Sequence, residues 1–93
     1  MALNETSGER KVEVAIVTTS GSWPATGFNE VPERQPVKHE IEQAVRNLHI
    51  VNTAGWIAIV NGRQINVEAT YLENGLSGQV TIDYGPPHGG GGR

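Results

Sequence analysis

The chain has 93 residues, a formal net charge of −3, 37% hydrophobic residues with few aromatics, and no cysteine. That length fits one domain with a small core of Val, Ile and Leu, and an acidic balance argues against a nucleic-acid footprint, which needs a basic patch. Without cysteine there is no disulfide, thiol nucleophile or cysteine-ligated metal, which fits a reducing compartment.

Met1 to Arg10 (MALNETSGER) is polar and aperiodic and reads as a disordered lead-in. It lacks the basic and apolar regions of a signal peptide, and no run approaches the roughly eighteen apolar residues of a membrane span, so a cytoplasmic protein is expected. Asn4-Glu5-Thr6 matches a glycosylation pattern, read as chance without a secretion signal.

Lys11 to Thr18 (KVEVAIVT) alternates, with Val12, Val14 and Ile16 on one face and Lys11, Glu13 and Ala15 on the other. That predicts a half-buried strand. Thr19-Ser20-Gly21-Ser22 is turn chemistry. Trp23 to Val31 is expected to be a short, irregular second strand of a hairpin, because Pro24 and Gly27 interrupt a ladder; Phe28 is its inward candidate.

Pro36 suits the first position of a helix, where a missing N–H costs nothing. Val37, Ile41, Ala44, Val45 and Leu48 then recur at helical spacing. Lys38, Glu40, Glu42, Gln43 and Arg46 are assigned to the solvent side, with Glu42–Arg46 as an i,i+4 pair. Asn52-Thr53-Ala54-Gly55 closes the segment. Trp56 to Ile65 reads as two short strands joined by Asn61-Gly62, the signature of a type I′ turn. Val67 to Gly78 is a connection with turns at Asn74-Gly75 and Ser77-Gly78, plugged by Tyr71 and Leu72. Gln79 to Tyr84 is a last strand with Val80, Ile82 and Tyr84 on one face.

One amphipathic helix covers one face of a small mixed sheet, so the expected fold is an α+β roll with the first and last strands side by side at its centre. Residues 11–84 form this domain, and Gly85-Pro86-Pro87-His88-Gly89-Gly90-Gly91-Gly92-Arg93 is a flexible tail. Nothing in the tail can pack, and ordering it would cost about 1–2 kcal/mol per residue. Extended, it reaches about 30 Å. It is either a solvated terminus or a carboxylate shaped to enter a narrow channel.

The strand–strand–helix–hairpin–strand order followed by a glycine tail resembles the β-grasp fold, and the chain is similar to the ubiquitin-like superfamily. Ala58-Ile59-Val60-Asn61-Gly62-Arg63-Gln64-Ile65 resembles the third-strand hairpin of ubiquitin in turn position and apolar spacing. Leu72-Glu73-Asn74-Gly75, Val80-Thr81-Ile82-Asp83-Tyr84 and Pro86-Pro87 before glycines resemble the ending of bacterial sulfur carriers. The likeness runs from about Lys11 to Gly92 and implies a mixed sheet of four to five strands on one helix. Within the superfamily the chain looks nearest to small bacterial ubiquitin-like proteins encoded beside activating-enzyme-like partners.

The resemblance implies a chain that is not itself an enzyme. An E1-like activating enzyme would adenylate the terminal glycine with ATP, and an E2-like conjugating enzyme would pass the acyl group to target proteins through an isopeptide bond. No cofactor is held by the chain; ATP and any zinc would serve the partners. Arg93 departs from the mature pattern, so a processing peptidase, such as one of the JAB/JAMM type, is expected to expose Gly92 behind Gly89, Gly90 and Gly91. Two rival readings stay open. One is a sulfur carrier bearing a terminal thiocarboxylate; the other is a β-grasp binding module with an inert tail. Aligning Asn61-Gly62 with the family hairpin puts Ile59 on the outward sheet face, with Ile57 beside it by the period of two. Ile59, Ile57 and His88 are therefore the partner-binding candidates. The three histidines, His39, His49 and His88, have no metal-ligand spacing, and His39 and His49 read as a solvated helix residue and a helix-end residue. No metal site, nucleic acid or membrane is expected.

Overall fold

The computed structural model describes residues 10–87. Strand β1 (Lys11–Thr18) is followed by β2 (Gly21–Trp23), β3 (Asn29–Pro32), helix α1 (Val37–Asn47), β4 (Ile57–Val60), β5 (Arg63–Gln64) and β6 (Gln79–Gly85). The sheet runs β2-β1-β6-β4-β5, with β3 also on β1. β2 pairs with the end of β1 and β3 with its beginning, so both share one edge. β1 and β6 are parallel, from Glu13 opposite Gln79 to Val17 opposite Asp83; all other pairs are antiparallel. The central pairing of first and last strands expected from the sequence is present.

The alternating strands send Val12, Val14, Ile16, Ala58, Val60, Val80 and Ile82 into one core with Val37, Ile41 and Ala44 of α1. Trp23, Val45, Leu48 and Tyr84 pack around it, partly buried. The predicted strands over Lys11–Thr18 and Gln79–Tyr84 and the Asn61-Gly62 hairpin are observed. Asn61 (φ 51°) and Gly62 (φ 78°) both take the left-handed conformation that a type I′ turn requires. A β-branched residue is strained there, so Gly62→Val should lower the urea midpoint by an amount equivalent to about 1–2 kcal/mol.

Several expectations are corrected. The sheet has six strands because the anticipated second strand is two. Gly21 and Ser22 are not turn residues but the start of β2, leaving Thr19-Ser20 as the tight turn. Residues 24–28 then leave the ladder: Pro24 has no N–H to contribute and Gly27 turns at φ 71°. Pairing resumes at Asn29, which puts Val31 inward opposite Val12 and leaves Phe28 exposed. Leu72 is likewise exposed; the neighbouring Tyr71 fills the core and Leu76 takes the second inward position.

Pro36 caps α1 instead of opening it, with an extended ψ of 139° and no side chain able to cap. The connecting loop does the capping: Val37 N–H donates to the Ala69 carbonyl (3.0 Å) and Lys38 N–H to that of Val67 (2.9 Å). That loop is braced by Asn74, whose amide accepts from Asn66 N–H (2.9 Å) and donates to the Asn66 and Thr70 carbonyls (2.8 and 2.9 Å). The helix ends before the anticipated Asn52–Gly55. Ile50 N–H returns to the Val45 carbonyl at 3.0 Å while His49 adopts φ 57°, a Schellman ending with histidine where glycine is favoured. His49→Gly should therefore stabilise the fold by up to about 1 kcal/mol, read as a rise in thermal midpoint.

Glu40 is not on the solvent side. It is three residues after Val37 and four before Ala44, which places it on the buried face, and its carboxylate accepts a 2.7 Å bond from Asn29 Nδ2. Burial of this group is tolerable because Asn29 compensates it. Among the described residues the expected Glu42–Arg46 ion pair is not formed; Lys38 pairs with Glu68 at 3.0 Å across the helix–loop junction.

Candidate functional site

α1 covers one face of the sheet and leaves the other open. Registered pairs set side by side on that open face give a row from Val17 of β1 through Asp83 of β6 and Ile59 of β4 to Gln64 of β5. Ile57 lies next to Ile59 on the same face, opposite Gly85. Val17 is 37% exposed, while Ile57 and Ile59 are half-buried and Asp83 is exposed. These residues line a shallow groove of about 560 Å³, closed at one end by Thr18, Thr19, Tyr84, Gly85 and Pro86.

The rim of the groove is held from behind. Trp56 meets Tyr84 edge-on, ring centroids 5.2 Å apart at 66°, which fixes the end of β6 against the start of β4. Thr18 is committed internally: its hydroxyl donates to the Gly21 carbonyl and accepts from Ser20 N–H, both at 2.9 Å. Asp83 has no side-chain hydrogen bond or ion pair among the described residues.

The structure brings Ile57 and Ile59 together as the hairpin spacing implied. His88, Gly89, Gly90, Gly91, Gly92 and Arg93, and the lead-in 1–9, lie outside the described residues. What the described chain fixes is the point of departure: β6, flanked by β1 and β4, ends at Gly85 on the rim, and Pro86 is still part of the groove wall. Sequence reasoning missed Val17 and Asp83 as members of this surface. Their positions opposite the inward residues of β1 and β6 were available from the period of two, but their juxtaposition depends on the parallel register.

His39 is exposed on α1, and His49 occupies the helix end. Among the described residues no three His, Cys, Asp or Glu side chains are grouped to hold a metal ion, and no helix is long and apolar enough to cross a membrane. The open face can present apolar surface and one carboxylate to another molecule, which is the chemistry of recognition.

No family model and no curated protein matches this sequence. Solved structures do. A de novo designed protein based on ubiquitin superimposes with a TM-score of 0.63 at 20% identity, over 86% of this chain and 93% of that one. The N-terminal ubiquitin-like domain of the 4931431F19Rik protein gives a TM-score of 0.59 at 18% identity, over 97% of this chain and 94% of that one. At such identities the likeness concerns architecture. With one helix on a mixed sheet and a parallel pair of first and last strands at its centre, the chain has the ubiquitin-like β-grasp fold.

Proposed function

We propose that the chain is a ubiquitin-like protein modifier, joined through Gly92 to amines of target proteins once Arg93 has been removed. The observation that carries this reading is the exit of the chain: an interior strand delivers Gly85-Pro86-Pro87 to the rim, and the sequence beyond holds four glycines in succession. A carboxylate following glycines meets no Cβ in a narrow channel, and an anchored but unpacked segment can carry one acyl group between successive active sites.

The chemistry belongs to the partners. An E1-like enzyme joins the Gly92 carboxylate to the α-phosphate of ATP, expelling pyrophosphate. An acceptor amine, delivered with an E2-like enzyme, then attacks the activated carbonyl carbon. The new C–N bond replaces the bond to the leaving group, and the amine proton passes to solvent. A peptidase must act first, because while Arg93 is present the terminal carboxylate is not glycine's.

Intact-mass analysis of tagged protein from its native host, with denaturing gels, tests this. The expected result is loss of one arginine together with a ladder of heavier covalent species. Deleting Gly92 and Arg93 should abolish that ladder and leave the unfolding midpoint unchanged, since the described fold ends before them. Only intact Arg93 termini and no adducts would refute the modifier reading. The Pro86-Pro87 pair before the glycines favours a second reading, a sulfur carrier. Arginine loss with exchange of one carboxylate oxygen for sulfur, and no ladder, would decide for it.

A further inference from the structure

The groove on the open face is apolar apart from one charged group. Of its nine lining residues only Asp83 is ionised at neutral pH, and its neighbours across the strands on either side are Val17 and Ile59. The Thr18 hydroxyl is engaged with its own turn, so Asp83 is the strong acceptor still available. An exposed carboxylate framed by two aliphatic side chains is complementary to a cation framed in the same way.

The spacing narrows the shape of the partner. Adjacent strands are about 4.8 Å apart, so Val17 and Ile59 stand roughly 10 Å from each other with Asp83 midway. A helix rises about 5.4 Å per turn. Laid across the strands, it brings residues i, i+4 and i+7 over the three positions in succession. An extended segment places same-side residues nearly 7 Å apart and falls out of step within one repeat.

We infer that this groove receives an amphipathic helix of a partner protein, crossing the strands with aliphatic residues at i and i+7 and arginine or lysine at i+4 against Asp83. This deepens the proposed function by giving its recognition face a partner chemistry. It does not depend on the terminal carboxylate, so it and the adduct assay fail independently.

The probes are two fluorescent alanine-based helical peptides with leucine at i and i+7, one with arginine and one with glutamate at i+4. They are titrated into the full chain by anisotropy and by amide chemical shifts. The arginine peptide should bind at least about tenfold tighter, with shifts concentrated at Val17, Ile57, Ile59 and Asp83. Asp83→Asn should remove the preference, and Asp83→Lys should reverse it toward the glutamate peptide. Asp83 is exposed, and the amide spectrum of each variant verifies that it is folded. Equal affinity for both peptides, shifts located elsewhere, a preference unchanged in Asp83→Asn, or no binding at millimolar peptide would each overturn the inference.

Discussion

Tyr71→Ala should remove most of the stability of this domain, while Tyr71→Phe should leave it unchanged or slightly higher. Tyr71 is fully buried and is the largest such side chain, carried into the core by a loop that also caps α1. Deleting a buried ring costs about 3–5 kcal/mol, against a total of roughly 5–15 kcal/mol for a domain. Its hydroxyl makes the opposite case. Oη is buried without a hydrogen-bond partner, so its removal forfeits no bond and relieves a desolvated polar atom. Urea unfolding of both variants separates ring from hydroxyl, and a large loss in Tyr71→Phe would mean that Oη is bonded.

The same hydroxyl sets a response to alkali. Burial first, and then the Glu40 carboxylate, push its pKa well above the ordinary value of 10.0. The folded state therefore holds this proton more tightly than the unfolded chain does. The associated stability is complete below the unfolded value, near pH 10, and is lost as pH rises toward the folded one. The fall approaches about 1.4 kcal/mol per pH unit. Tyr71→Phe should lack this component, so stability curves that stay parallel above pH 10 would refute the assignment.

The second large effect distinguishes the two faces of the sheet. Ile16 and Ile82 are registered opposite each other in the central parallel pair, and both are fully buried under α1. Each change to alanine should cost about 2–5 kcal/mol. The double variant should depart from the sum by about 0.5 kcal/mol or more, since two touching side chains share one cavity. Ile59→Ala, on the open face, should shift the urea midpoint by an amount equivalent to under about 1 kcal/mol while weakening the arginine peptide. A stability loss for Ile59→Ala comparable to that for Ile82→Ala would show that the open face is structural.

Elements with a clean period are legible in the amino-acid sequence itself. β1, β6 and the Asn61-Gly62 hairpin follow from alternation and turn chemistry, and the buried stripe of α1 follows from its 3.6-residue spacing. What escapes is set by tertiary partners. Phe28 is the more apolar residue, yet Val31 is inward, because the excursion over residues 24–28 resets the alternation. Glu40 reads as solvent-facing until Asn29 is brought within 2.7 Å of it from a distant strand. Within the site, Ile57 and Ile59 can be inferred from the hairpin. Asp83 between Val17 and Ile59 cannot, since only the β1–β6 and β4–β6 registers bring these three together.

The parallel pair at the centre also determines how the domain carries a mechanical load. Because β1 and β6 point the same way, Lys11 and Gly85 stand at opposite poles of one ladder. Tension between them runs along the strands, so the pairings from Glu13–Gln79 to Val17–Asp83 are strained together in shear and must yield in a single concerted slip. Tension applied at Gln64, on the two-residue edge strand β5, instead peels bonds one after another. Rupture force should therefore depend on direction, high from pole to pole and low from the edge. A machine that hauls on the C-terminal end while the other pole is held meets this domain along its most resistant axis.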